Sequence, residues 1–346
     1  DKEDVESVSN YLSSGAWITE HKVTKNLEDS IKNFIGRDYC VSVPNGTIAI
    51  YLSLLASGIT DGKKVAVPNL TMIATINAVL WAKAEPVLID VDESLCMSYE
   101  ELVKFEDLDA VIFVPLNGRS GEGEKIFNWC KDSNIRFIED SAHALGSSYK
   151  NTKCGSLGDL SIISFTPHKI ITMGQGGMIL TDSQEYYEYL LKLKTFNRLK
   201  DKNDWHEGFG LNFKITDLQA SLGLSQFNKL EEFILNKKNN YKEYKKSINE
   251  EDTYVLDFKN HEVPWFFDLK ISSVTKKNEL VEHLIENEIE TRNLYPALSK
   301  QEYLNKYAND RLNFSEEIFD KIIWLPSSNK LNQTDVGYIS QVINSF

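Results

Sequence analysis

The first 180 residues alternate short apolar runs with segments of helical periodicity. The runs are "YCVSV" (39–43), "KVAVP" (64–68), "EPVLIDV" (85–91), "AVIFVPL" (110–116), "IRFIED" (135–140), "LSIISF" (160–165) and "GMILTD" (177–182). "TIAIYLSLLASGI" (47–59) and stretches near 71–82, 98–106 and 122–132 fit helices. Strands apolar throughout must be covered on both faces, as in a parallel sheet with crossover helices. The expected class is α/β with a mainly parallel sheet. The pattern changes after about residue 184. "EYYEYLLKLKTF" (185–196) is helical, and one long helix is expected from about Thr216, where Thr216 and Asp217 offer start chemistry, to about Ile248. The last hundred residues read as a smaller α+β unit: "WFFDLKI" (265–271), the helix "KKNELVEHLIENE" (276–288), "IETR" (289–292) and a terminal helix near 332–345. With no internal repeat and no low-complexity linker, the expected division is a large domain, 1–240, packed on a small one, 241–346.

Bulk properties exclude several functions. The 346 residues are 42% hydrophobic and 26% charged, ordinary for a soluble globular chain. The formal net charge of -13 repels nucleic acid, and no basic run with interleaved aromatics offsets it. Cys40, Cys96, Cys130 and Cys154 lie far apart without CxxC spacing, so neither a metal cluster nor a disulfide framework is expected. No long uncharged apolar stretch and no secretory leader is read, although the sequence opens on Asp1. The expected location is the cytoplasm, with thiols reduced.

Three strand ends carry the chemistry. In "VPNGTIAI" (43–50) a strand ends, Asn45-Gly46-Thr47 turns, and a helix begins. Free N–H groups at a helix start bind anions, and Gly46 lets a phosphate approach closely. In "FIEDSAHALG" (137–146) Asp140 closes a strand and His143 follows. Ligands of open α/β sheets bind beyond the carboxyl ends of strands. In "SFTPHKIITMGQGG" (164–177) Lys169 lies between a strand end and a glycine cluster. Taken singly, a capping turn, a capping Asp and a loop lysine account for these residues as well. Together, in this order, they match what pyridoxal phosphate (PLP) requires. It needs a lysine that carries it covalently, a carboxylate against its ring nitrogen, and a phosphate cradle, here Gly46, Thr47 and Ser164.

These segments, with "SGAWIT" (14–19), "VPNLTMIATINAV" (67–79), "GLNFKITDLQASLG" (210–223) and "IETRNLYPAL" (289–298), resemble the PLP-dependent sugar aminotransferases of the DegT/DnrJ/EryC1/StrS family. The resemblance covers nearly the whole chain. It implies the PLP-dependent transferase fold type I, like aspartate aminotransferase. It places Lys169 on the cofactor lysine and Asp140 on the ring-nitrogen aspartate. His143 falls near the cofactor's phenolic oxygen, and Gly46, Thr47 and Ser164 fall on the phosphate cradle. Asn212 falls on an asparagine that reaches the phosphate of a neighbouring subunit, which implies a homodimer with shared sites.

The sequence departs from that pattern at four places. Met72 stands where an aromatic residue usually stacks on the ring. Gln175 replaces a usual Glu, Lys214 a usual Arg, and Leu298 a frequent His. None removes a group the chemistry requires. The implied reaction moves an amino group from L-glutamate to a nucleotide-linked 4-keto-6-deoxy sugar. "ETRNLYP" looks most like the perosamine-synthase branch and hence a GDP-sugar. Related dehydratases carry His in place of the lysine, but counting back from Gly174 puts Lys169, not His168, on that position. A non-catalytic homologue that binds PLP or sugar is the other alternative. For the sugar's diphosphate, the basic loop "KTFNRLKDK" (194–202) and "IETRNLYP" offer Arg198 and Arg292. An arginine fork bonds two phosphate oxygens at once, so these are preferred over Lys200 and Lys202. Tyr295 completes the expected substrate contacts.

Overall fold

The computed structural model describes residues 1–199 and 201–346; Lys200 of the basic loop lies outside the described residues. The strands in chain order are β1 (Tyr39–Val43), β2 (Lys64–Pro68), β3 (Glu85–Ile89), β4 (Ala110–Phe113), β5 (Arg136–Asp140), β6 (Ser148–Tyr149), β7 (Thr152–Lys153), β8 (Leu160–Ser164), β9 (Gly177–Thr181), β10 (Thr253–Val255), β11 (Phe267–Ile271), β12 (Arg292–Asn293) and β13 (Ile322–Leu325).

A seven-stranded sheet with order β1-β9-β8-β5-β4-β2-β3 forms the centre. β9 runs antiparallel to both β1 and β8, while β8, β5, β4, β2 and β3 pair in parallel. All its strands but β9 therefore point the same way, and their carboxyl ends share one edge. β4, β8 and β9 are buried at every residue. Covering an Ile, Leu or Val side chain contributes roughly 1.5–3 kcal/mol, so such strands are stable only with helices on both faces. One face buries Ile50, Leu54, Ile76, Val79 and Leu190 from three helices. The other buries Phe113, Ile126, Cys130 and Phe137 in one cluster and Leu27, Ile31 and Ile163 in another.

The small sheet has the order β10-β11-β13-β12 and is antiparallel throughout. Leu280, Leu284, Val336, Ile339 and Tyr244 pack on it. The helix Leu230–Ser247 crosses residue 240: Leu230 belongs to a core of the large sheet and Tyr244 to that of the small one. The buried Asp268 of β11 ties the sheets together. It accepts from Asn117 Nδ2 at 2.8 Å, from Trp324 Nε1 at 2.7 Å and from Arg119 Nη1 at 2.5 Å.

Two local expectations need correction. The long helix from Thr216 is two helices, Asp217–Asn228 and Leu230–Ser247, broken at Lys229, whose ψ of 2° leaves helical geometry. Thr216 does cap the first, in a capping box with Gln219. The helix expected over 98–106 closes after Tyr99–Leu102, and Asp107 takes a φ of 57° just beyond it. Two N-terminal helices, Lys2–Ser13 and Lys22–Ile35, were not read from the sequence. The second is clearly amphipathic, with Leu27, Ile31 and Ile35 buried at helical spacing.

Among the described residues no helix is long and apolar enough to cross a membrane. No group of three or more His, Cys, Asp or Glu is placed to hold a metal. The four cysteines are free and buried.

Candidate active site

The site forms where β1, β5 and β8 end. Ser164 pairs with Gly177, and Gly177 with Val43, so the ends of β8, β9 and β1 lie in one row. The chain then turns at Asn45, whose side chain accepts from Ile48 N and caps the helix Gly46–Ala56. Such a cap contributes about 1 kcal/mol and leaves the other first-turn N–H groups free to bind an anion. The turn is pressed against the sheet. A Cβ on Gly177 would lie 2.5 Å from the Asn45 carbonyl, and one on Gly46 would lie 3.2 Å from Ser164 Cβ. Glycine at 177 is a requirement of this close approach.

Gly46, Thr47, Met72, Asp140, His143, Ser164 and Lys169 line one cavity of about 220 Å³, together with Thr75 and Gln175. Asp140 is buried. Thr75 Oγ1 donates to its Oδ2 at 2.9 Å, and Ala142 N donates to Oδ1 at 3.4 Å. Burial pushes the Asp140 carboxyl up, while the Thr75 hydroxyl and the Lys169 charge hold it down. Burial pulls the Lys169 amine down to about 7; the Asp140 charge opposes this and the Arg292 charge adds to it. His143 is held well below the usual histidine range by burial and by the Lys169 charge. Its buried Nδ1 has no partner.

An aromatic wall stands behind these groups. His143 stacks on Trp265 with ring centres 4.2 Å apart and faces Tyr295 at 6.0 Å. Tyr295 meets Trp324 edge-on at 4.9 Å, and Phe266 stacks on Trp324 at 4.5 Å. Lys169 Nζ lies over the Trp265 ring, 3.9 Å from its centre. Met72, in contrast, is 40% exposed at the mouth.

Beside this cavity lies a larger one of about 850 Å³, bordered by His168, Arg292, Phe266 and Trp324. Its walls also carry Glu288, Glu290 and Asp335. The reacting groups converge in the smaller cavity. Arg292 is exposed, and its guanidinium lies 5.8 Å from the centre of the Trp324 ring. Two expected residues lie elsewhere. Arg198 is exposed and paired with Asp204 at 3.2 Å. Asn212 is exposed and bridges to Thr195. Neither lines the cavity of its own chain.

Thr75, Gln175 and Trp265 were missed as site residues. Thr75 sits inside the quoted "VPNLTMIATINAV", one helical turn beyond Thr71. Trp265 opens a segment read only as a strand, and nothing in its local sequence points to Lys169, almost one hundred residues earlier.

The residues present fit pyridoxal phosphate. They give a helix start free for its phosphate, a buried carboxylate, a lysine of lowered basicity, and the unpartnered Nδ1 of His143 in one cavity.

Known proteins resemble this chain along nearly its whole length. The GDP-perosamine synthase of Escherichia coli O157:H7 is 34% identical over 313 residues, covering 89% of this chain and 85% of that protein. Helicobacter pylori PseC, an aminotransferase involved in the biosynthesis of pseudoaminic acid, superposes with a TM-score of 0.93 at 24% identity, covering 99% of this chain and 95% of that one. A sugar aminotransferase of Streptococcus pneumoniae, Spr1654, described as putative and solved in a PLP form, also gives a TM-score of 0.93 at 24% identity, covering 100% and 96% of the two chains. A match to the DegT/DnrJ/EryC1/StrS aminotransferase family spans residues 1–344, and the chain belongs to that family.

Proposed function

We propose that this protein is a PLP-dependent aminotransferase that moves an amino group from L-glutamate to C4 of a nucleotide-linked 4-keto-6-deoxy sugar, with a GDP-sugar favoured. The observation that carries this reading is the convergence of Lys169, Asp140 and the Gly46 helix start in one cavity. The likeness to a GDP-perosamine synthase supports the GDP-sugar. Lysine rather than histidine at 169 favours transfer over dehydration.

Bound PLP supplies an electron sink that stabilises negative charge on the carbon losing a proton. The chain's own residues do the rest. First-turn N–H groups at Gly46 and Thr47, with the Ser164 hydroxyl, would hold the phosphate. Asp140, oriented by Thr75, would keep a proton on the ring nitrogen. His143 would hold the phenolic side of the ring. Lys169 would anchor the cofactor, and its free amine would carry the proton to and from the substrate carbon. An amine with a midpoint near 7 is suited to that exchange, because both its forms are populated near neutral pH. Arg292, Arg198 and Tyr295 are assigned to the nucleotide sugar, and Asn212 to the neighbouring subunit's phosphate in a cytoplasmic homodimer.

The test is direct. Purified protein loaded with PLP should lose its lysine-bound absorbance band on adding L-glutamate and regain it on adding a GDP-linked 4-keto-6-deoxyhexose, with an amino sugar found by mass spectrometry. Lys169→Ala should fold, judged by circular dichroism, and yield no amino sugar. Wild-type turnover by Lys169→Ala would remove the nucleophile assignment. Turnover of UDP-linked keto-sugars alone would replace the GDP preference.

A further inference from the structure

We propose that Trp265 is a positioning residue for Lys169: its indole face is the seat on which the lysine's ammonium rests when the amine is not attached to the cofactor. This rests on Lys169 being the cofactor lysine. Trp265 does not depend on which sugar is the substrate.

The geometry provides both the seat and its rigidity. Lys169 Nζ lies 3.9 Å from the centre of the Trp265 ring. The negative face of an indole attracts an ammonium, and more strongly where water is excluded. Trp265 is itself 3% exposed and held at every polar group. Its backbone N–H donates to Asn117 O at 3.0 Å. Its carbonyl accepts from Lys237 Nζ at 2.9 Å. Its indole Nε1–H donates to His168 O at 2.5 Å. That last bond fixes the peptide preceding Lys169, so one side chain holds both ends of the lysine. His143, stacked on the same ring system at 4.2 Å, leaves Trp265 little freedom to tilt.

The seat also explains why Asp140 need not take the ammonium directly. Its Oδ2 receives the Thr75 hydroxyl and its Oδ1 faces Ala142 N. An ion pair with Lys169 would compete with the ring nitrogen for that carboxylate. A cation on an indole face has its charge partly compensated with no carboxylate consumed. Deprotonation to the free amine loses this attraction and that of the Asp140 charge, with no hydrogen bond of the ammonium to remake, so the lysine can pass between its two forms without repacking.

The charged and titratable groups facing Lys169 are Asp140, His143 and Arg292, from β5, the turn after it and β12. Trp265→Phe keeps an aromatic ring under His143 and apolar cover over the amine, so its shift reports on the indole face; water admitted by Trp265→Leu would act the other way and raise the midpoint. The experiment measures the pH at which Lys169 is half-protonated in the full-length, cofactor-free chain. The reading is the rate of its modification by an amine-directed reagent, mapped to the Lys169 peptide by mass spectrometry. Trp265→Leu removes the face and should lower that midpoint by about one pH unit. Trp265→Phe keeps a weaker face and should lower it by less. A folded variant of either kind with a wild-type Lys169 midpoint overturns the proposal. A second reading needs no Trp265 variant. With indole nitrogens labelled, one tryptophan N–H resonance of the wild type should titrate with Lys169 and become pH-independent in Lys169→Ala. If no resonance behaves so, the seat is not Trp265. Failure of the sugar assay would leave both readings intact.

Discussion

Thr75 reaches from the helix Ala74–Trp81 to the end of β5, where its hydroxyl donates to Asp140 Oδ2 at 2.9 Å. The bond joins two segments 65 residues apart and leaves the carboxylate one orientation. Thr75→Val removes the donor but keeps the shape. The bond is charge-assisted, worth about 1.5–3 kcal/mol, so the rate should fall on the order of tenfold to a hundredfold if that energy appears in the transition state. Asp140→Asn should fall further, by several orders of magnitude, because an amide cannot hold a proton on the ring nitrogen. Both should keep the wild-type circular dichroism spectrum. A Thr75→Val enzyme with full activity would show that Asp140 is oriented by the strand alone.

Arg292 acts on Lys169 as a charge, besides its proposed role toward the nucleotide sugar. Its positive charge disfavours the ammonium, so Arg292→Ala should raise the Lys169 midpoint above about 7. The same variant should raise the sugar KM, with the maximal rate of the glutamate half-reaction nearly unchanged. Arg198→Ala should raise the sugar KM without moving the Lys169 midpoint, since Arg198 is paired with Asp204 and is not among the charges that act on Lys169. Stopped-flow rates for each half-reaction across pH separate the two arginines. Equal losses in both half-reactions would assign them to the cofactor or the fold.

Asn212 is exposed on its own subunit and lines none of the Lys169 cavity. If it completes a neighbour's site, mixing Asn212→Ala with Lys169→Ala subunits should create one intact site per heterodimer. Activity of up to about half the wild type per heterodimer should then appear from two inactive parents. Native mass spectrometry would establish that subunits had exchanged. Exchange without recovered activity would place Asn212 in the fold of its own chain.

Lys237 is a buried lysine that donates to the carbonyls of Trp265 and Ser327. Burial lowers its midpoint from 10.5 to about 7. Between those values the unfolded chain binds a proton that the folded chain does not, so its contribution to stability rises as pH rises. The slope is at most about 1.4 kcal/mol per pH unit. Lys237→Met lacks this contribution and leaves two buried carbonyls unbonded, at about 1–3 kcal/mol each. The stability lost on substitution should therefore widen as pH goes from 7 to 9, measured by urea unfolding. A gap independent of pH would mean that Lys237 is charged when buried.

The alternation of wholly apolar runs with helical periods dictated a mainly parallel sheet, because such strands cannot face water on either side. The order of the glycine turn, Asp140 and Lys169 singled out the strand ends that meet in one cavity, because only in combination do these residue types match the needs of one cofactor. The tertiary structure alone decided the insertion of β9 antiparallel between β1 and β8, because backbone pairing leaves no trace in side-chain pattern. It alone decided the break at Lys229, where both flanking segments have helical composition. It alone brought Trp265 and Tyr295 of the C-terminal third onto His143 and Lys169. Local sequence records which side chains want burial and which turns the backbone tolerates. Which distant residue fills the remaining space is set by packing, and at this site that packing decides how basic Lys169 is.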